Sequence, residues 1–268
     1  MRTSSPYFTI GISLKMYFGH AQAIRWANAI GEIVADHPAV ARGVAEVFVV
    51  PSFPSLAPVR DALAGSGVRL GAQDLSWADS GAFTGEVSGA ELAEIGCALV
   101  EIGHAERRLL FHEDENIIAA KTAAALRNGL TPLLCVGEQE QESVPVAARK
   151  VISQLDSALT ATASAGLSGP LLVAYEPQWA IGAPEPASAE HISAVVASLE
   201  KHLAGLSAHV KSRVIYGGSA GPGLLTTLGG AVRGLFLGRF AHDPAAVRLI
   251  LDEANALAGG SLIAPRAG

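Results

Sequence analysis

Strand-length apolar runs recur along the whole chain, and they do not alternate polar with apolar residues. They are FTIGISL from Phe8, EVFVV from Glu46, VRLGAQ from Val68, ALVEIG from Ala98, TPLLCVG from Thr131, LLVAYE from Leu171, RVIYGG from Arg213 and GLFLG from Gly234. A strand with one wet face alternates, whereas a run apolar throughout is covered on both faces, as in a parallel sheet. Parallel strands need crossovers, and helical patterns fill the gaps. HAQAIRWANAIGEIVADH sets Ile24, Ala27, Ile30 and Val34 on one face, and DENIIAAKTAAALRNG starts on Asp114 and stops at Gly129. Ile192, Val195, Val196, Leu199 and Leu203 share another helical face, and SALTATASAGLSG continues a long helix that frays into a loop. Ser88 with Glu91 forms a capping box, and Asp243–Pro244 an N-cap followed by proline at the first helical position.

Eight strands, each followed by a helix, with no linker or low-complexity segment, predict an α/β chain folded as one single-domain (β/α)8 barrel over residues 1–268. The length suits such a barrel. A doubly wound open sheet is the rival, but it calls for a glycine-rich fingerprint after the first strand, and ISLKMYFGH has none. In a barrel the C-terminal ends of the strands line the active site. Those ends carry Ser13 and Lys15, Gln73, His104 and Glu106, Glu138, Glu176, Gly217-Gly218-Ser219 and Gly238-Arg239.

Glu176 is the sharpest of these. It closes the apolar run LLVAY, is pinned by Pro177 and precedes the mostly apolar WAIG. A lone rim glutamate is ordinarily a salt-bridge partner. One under an apolar flap is desolvated, and its pKa is expected to rise toward a value useful for proton abstraction. His104 stands where a strand meets a short helix carrying Arg107 and Arg108. The positive helix end disfavours imidazolium there, so a neutral ring can donate an N–H to a substrate oxygen. Lys15 offers an ammonium at the barrel mouth. The glycine-bearing turns at Gly182, Gly217 to Ser219 and Gly238-Arg239 present backbone N–H groups to an anion, as phosphate sites of barrels do. A base, an electrophile, a cation and a phosphate grip together describe proton transfer next to a carbonyl in a small phosphorylated substrate.

Composition narrows the rest. A formal net charge of −6 with no basic cluster argues against a nucleic-acid partner. The opening MRTSSPYFTIG lacks the pattern of a secretory signal, and no stretch approaches the roughly 18 consecutive apolar residues of a membrane span. The two cysteines, Cys97 and Cys135, build no disulfide framework. A cytoplasmic protein is expected, with no membrane association. His20, His37, His112, His191, His202, His209 and His242 are scattered, mostly at helix surfaces and loops, without ligand spacing, so no metal is expected.

SLKM, GAFTGEVS, GHAERR, CVGE, AYEPQWAIG and YGGS, in this order, closely resemble the triosephosphate isomerase family across nearly the whole chain. The resemblance implies a cofactor-free aldose–ketose isomerase with Glu176 as base. His104 would polarise the carbonyl, and Lys15, held by Glu106, would stabilise the enediolate. Residues 177 to about 184 would form a lid closing over the phosphate through Gly182, latched by Tyr216 and Ser219, with Trp179 turning toward Glu138. GAFTG around Thr84 resembles the family's dimer loop, so a homodimer is expected. Five places depart from the family pattern. Ser13 replaces an asparagine, Ala105 a serine and Gln178 a valine; the second lid hinge has become APEP; and Arg239 replaces a glycine, its side chain either contacting substrate or pointing away. All lie around the substrate, none at Glu176, His104 or Lys15. Members of the family act on four-carbon ketose phosphates such as erythrulose phosphates, and Ser13 leaves space for one more hydroxymethyl group. The expectation therefore leans to a tetrulose phosphate over a triose phosphate. A non-catalytic paralogue that binds a phosphorylated metabolite, and an unrelated phosphate-binding lyase, remain as alternatives.

Overall fold

The sheet closes on itself. The computed structural model describes residues 7–261, and among these it has eight strands paired in parallel in chain order, β1 completing the ring against β8. They are β1 (Phe8–Ser13), β2 (Ala45–Val50), β3 (Arg69–Ala72), β4 (Leu99–Ile102), β5 (Thr131–Val136), β6 (Leu172–Tyr175), β7 (Arg213–Tyr216) and β8 (Gly234–Leu237). Each of the apolar runs forms one strand. The terminal residues of the expected 1–268 domain, including MRTSSP, lie outside the described residues.

Helices cover the ring: α1 (His20–Ala35), α2 (Pro38–Ala41), α3 (Leu56–Ala62), α4 (Gly89–Ile95), α5 (Ala105–Leu110), α6 (Glu115–Arg127), α7 (Val144–Ala158), α8 (Thr160–Ser164), α9 (Ala189–Ala204), α10 (Leu224–Leu228) and α11 (Pro244–Ser261). The capping signals act as expected. Ser88 Oγ accepts from Glu91 N at 3.1 Å, Asp114 Oδ1 from Ile117 N at 2.9 Å, and Asp243 Oδ1 from Ala245 N at 2.9 Å. Two helical expectations need correction. The core stripe of α1 is Ala23, Trp26, Ala27, Ile30 and Val34, with Ile24 only half-buried, because the indole of Trp26 reaches inward to donate to the Ala241 carbonyl at 2.8 Å. The helix after β5 does not fray; it breaks at Leu159 into α7 and α8.

Strand parity sorts every side chain to one of two cores. On β1, Phe8, Ile10 and Ile12 pack against helices; on β4, Val100 and Ile102 do the same. The opposite parity fills the barrel axis with Phe48, Val50, Leu99, Leu133, Leu172, Ile215 and Phe236. Gly11 is required there, since a Cβ would lie 2.1 Å from the Phe48 ring. Polar residues bound this apolar plug at both ends. At the N-terminal end Glu46 accepts from Thr9 Oγ1 at 3.0 Å and pairs with Arg213 and Arg69. At the C-terminal end the inward positions are Ser13, Gln73, Glu101 and Glu176, and the barrel opens between them. No helix among the described residues is long and apolar enough to cross a membrane.

Candidate active site

The mouth at the C-terminal end holds a cleft of about 690 Å³, lined by Ser13, Lys15, His104 and Glu176 below and by the Gly182, Ser219 and Arg239 turns above. β6 delivers Glu176: its N–H donates to the Val136 carbonyl at 2.8 Å, extending the β5–β6 ladder by one residue. Glycine on both sides leaves room for it. A Cβ at Gly217 would sit 2.5 Å from Glu176 Oε1, and one at Gly137 would sit 1.9 Å from the Glu176 carbonyl oxygen. Glu176 is 6 % exposed, and its Oε2 has no hydrogen-bond partner among the described residues. A buried oxygen left without a partner is free to take a proton from a ligand.

His104 faces it. The ring caps α5, its Nδ1 accepting from the Glu106 backbone N–H at 3.1 Å. That bond fixes the tautomer with its proton on Nε2, which lies 3.7 Å from Glu176 Oε2. The α5 turn is held from behind by ion pairs, Arg107 to Asp74 at 2.9 Å and to Glu113 at 2.6 Å, with the buried Lys121 bridging the same two carboxylates.

Lys15 follows β1 in the left-handed region, φ 45°, a strained backbone of the kind found at functional sites. Gln73 holds that turn by donating to the Lys15 and Val50 carbonyls at 2.9 Å each. Lys15 Nζ donates to Glu106 Oε1 at 2.7 Å. Burial works against its ammonium, but the hydrogen bond and charge of Glu106, aided by Glu176 and Glu101, outweigh it and raise the Lys15 pKa above the usual lysine value. The cation is therefore kept where negative charge would develop.

The loop after β6 lies across the cleft. Ser219 Oγ lies 2.9 and 2.8 Å from the Ala180 and Ala183 carbonyls, which share its one proton, and Tyr216 OH accepts from Ala187 N at 3.1 Å. Trp179 Nε1 donates to Glu138 Oε1 at 3.0 Å. Gly182 takes φ 74°, which glycine adopts without penalty.

The match to known families settles what this arrangement belongs to. Residues 8–254 fit the model of the triosephosphate isomerase family. The chain belongs to that family. It is 55 % identical to an L-erythrulose-1-phosphate isomerase of Pectobacterium atrosepticum over 95 % of this chain and 98 % of that one. It is 43 % identical to a triosephosphate isomerase of Mycobacterium avium, over 76 % of this chain and 79 % of that one. Among solved structures it resembles the triosephosphate isomerase of Bartonella henselae, with a TM-score of 0.78 and 27 % identity over 93 % of this chain and 99 % of that one.

The family departures fall around the cleft. Arg239 lines it with the side chain turned toward the lid: Nη2 comes within 3.7 Å of where a Gly182 Cβ would be. Ala105 and Gln178 border a gap of about 10 Å³ beside Glu176. Pro184 lines the cleft mouth. Thr84 is exposed and is absent from the residues lining the cleft of its own chain.

Two participants were missed in the sequence. His191, grouped there with scattered surface histidines, reaches Tyr175 OH at 3.0 Å and Glu138 Oε1 at 3.3 Å, joining the Trp179 anchor. His37 and His209 are buried, and His191 is partly so. Glu101 is the other. A carboxylate inside the apolar run ALVEIG was its signal.

Proposed function

We propose that this isomerase of the triosephosphate isomerase family interconverts erythrulose 1-phosphate and erythrulose 4-phosphate through an enediolate, with Glu176 as base. The substrate assignment is supported by the 55 % identity to the Pectobacterium atrosepticum enzyme along nearly the full length of both chains. The chemistry is carried by one observation, the unpartnered Glu176 Oε2 facing His104 Nε2 at 3.7 Å beside the Lys15 ammonium.

In erythrulose 1-phosphate the ketone is at C2, a hydroxyl at C3 and a hydroxymethyl group at C4. Glu176 takes the C3 proton, and the C3–H electron pair becomes the C2–C3 double bond while negative charge moves onto O2. His104 Nε2–H and the Lys15 ammonium stabilise that oxygen. His104 then carries a proton from O3 to O2, and Glu176 returns its proton to C2. The carbonyl is now at C3, and the compound, renumbered, is erythrulose 4-phosphate, so this interconversion runs from ketose to ketose rather than between the aldose and ketose that the family resemblance implied. No electron leaves the substrate, so the reaction calls for no cofactor. Gly182, Ser219, Gly238 and Arg239 grip the phosphate through backbone N–H groups, with the Arg239 guanidinium added. The lid keeps water from the enediolate and holds the phosphate in the plane that resists its elimination.

A homodimer is part of the same reading, because Met16 beside Lys15 is 94 % exposed and Trp77 and Phe83 pack on each other at the surface. So is a cytoplasmic location, where sugar phosphates are retained. The test is kcat/KM for L-erythrulose 1-phosphate against glyceraldehyde 3-phosphate on the purified protein. The tetrulose is expected to be preferred by about tenfold or more, the effect of one to two well-placed contacts. Preference for the triose would overturn the substrate and leave the chemistry standing.

A further inference from the structure

β4 carries a carboxylate that the chemistry above does not use. Glu101 is 3 % exposed and points into the barrel, at the parity of Leu99 and opposite to Val100 and Ile102. Burying a carboxylate is costly, so a fold keeps one only where partners compensate it. Its partner here is Ser13, whose Oγ donates to Glu101 Oε2 at 3.2 Å. Cys135 Sγ lies 3.9 Å from the other oxygen. Lys15, His104 and Glu176 are all near enough to act on its charge.

Ser13 lines the cleft, and Glu101 stands directly behind it. Both are strand residues on the barrel axis, whereas Gly182, Ser219 and Arg239 sit on loops beyond the strands. A ligand held by its phosphate in those loops therefore points its far end at Ser13. A hydroxyl has one proton and two lone pairs. With the proton given to Glu101, Ser13 shows only lone pairs to the cleft. It can accept from a ligand hydroxyl and has nothing to offer a C–H group. Carbonyl transfer between C2 and C3 leaves the C4 hydroxymethyl beyond the reacting pair, on the side away from the phosphate. A triose has only hydrogen there.

We propose that Ser13 and Glu101 select four-carbon over three-carbon substrates, Glu101 orienting the Ser13 hydroxyl as acceptor for the C4 hydroxyl. Ser13 touches substrate; Glu101 is a positioning residue acting through it. This rests on the tetrulose reading above. Burial pushes Glu101 up to about 7, against the field of His104 and Lys15 and the Ser13 hydrogen bond, so at pH 8 it is mainly a carboxylate and purely an acceptor.

The experiment measures kcat/KM at pH 8 for erythrulose 1-phosphate and for glyceraldehyde 3-phosphate, in the native protein and in Ser13→Ala, Glu101→Leu, Glu101→Gln and the Ser13→Ala/Glu101→Leu double variant. The tetrulose-to-triose ratio should fall about tenfold in Ser13→Ala and in Glu101→Leu, the size of one hydrogen bond aided by a charge. The double variant should fall no further than the singles, because the two residues act as a unit. Glu101→Gln keeps the shape and one acceptor oxygen; its ratio should fall about threefold, and it decides the matter if Glu101→Leu does not fold. Equal losses for both substrates, which a purely structural role gives, overturn the proposal. So does an unchanged ratio while the native protein turns over the tetrulose, and that result leaves the substrate reading intact. A native protein inactive on the tetrulose overturns both.

Discussion

At the scale of single residues, the site is a set of carboxylates told apart by their surroundings. Glu106 is half-exposed and pairs with Lys15, Glu138 is sealed among Tyr175, Trp179 and His191, and Glu176 keeps an oxygen open toward His104. Glu101 is the outlier, and its titration has a measurable consequence. Burial raises its pKa from 4.5 to about 7 in the folded protein. Between those values the native state holds a proton that the unfolded chain has released. The stability this contributes is full below the unfolded value and is lost as pH climbs through the folded one. Thermal or urea unfolding between pH 5 and pH 8 should show the native protein losing on the order of 3 kcal/mol relative to Glu101→Gln. A difference that stays flat over that range contradicts the assignment. Glu176, His104 and Lys15 were legible in the sequence because a strand-end rule places them without coordinates. Glu101 was not, since its meaning depends on β1 and β4 facing each other across the axis.

At the scale of elements, the loop after β6, the lid of the proposed mechanism, is tied to the end of β7 and to the turn that follows it. Ser219 takes the carbonyls of Ala180 and Ala183, and Tyr216 takes the N–H of Ala187 beyond the prolines Pro184 and Pro186. Those prolines fix φ and remove two backbone donors from this segment, where the tyrosine hydroxyl holds the next N–H beyond them. Tyr216→Phe should lower kcat about tenfold, the effect of one hydrogen bond. It should also raise the inorganic phosphate released per turnover, as an enediolate less well shielded loses its phosphate. Phosphate release and isomerisation measured on the same sample check this; unchanged leakage would show that the hydroxyl does not hold the lid. The motif AYEPQWAIG marked the loop that lines the cleft, but not the place of His191. That residue joins from α9 by stacking its ring on Tyr175 of β6, a tertiary contact that no local pattern encodes.

At the scale of the molecule, the barrel was legible because runs apolar on both faces admit few other architectures, and eight of them in a row close into one ring of strands paired in chain order. Association was indicated by motif alone. Thr84 stands exposed on a loop with Phe83 and Trp77, and Met16 projects from the turn that carries Lys15. A second copy covering that turn would help hold Lys15 in its strained conformation. Sedimentation should give a dimer for the native protein and a monomer for Phe83→Asp, with kcat reduced at least about tenfold in the monomer; a fully active native monomer contradicts this. Proton transfer by Glu176 can be followed with hydrogen isotopes. Isomerisation of erythrulose 1-phosphate is run in deuterium oxide and followed by proton NMR, in the native protein and in Glu176→Gln. Deuterium should enter the newly formed C–H bond of the product only to the extent that the Glu176 carboxyl exchanges its proton before returning it, and turnover should fall by about a thousandfold or more in Glu176→Gln, as for loss of a general base. An undiminished rate in Glu176→Gln, or the same deuterium content and rate in both proteins, would show that Glu176 does not carry the proton.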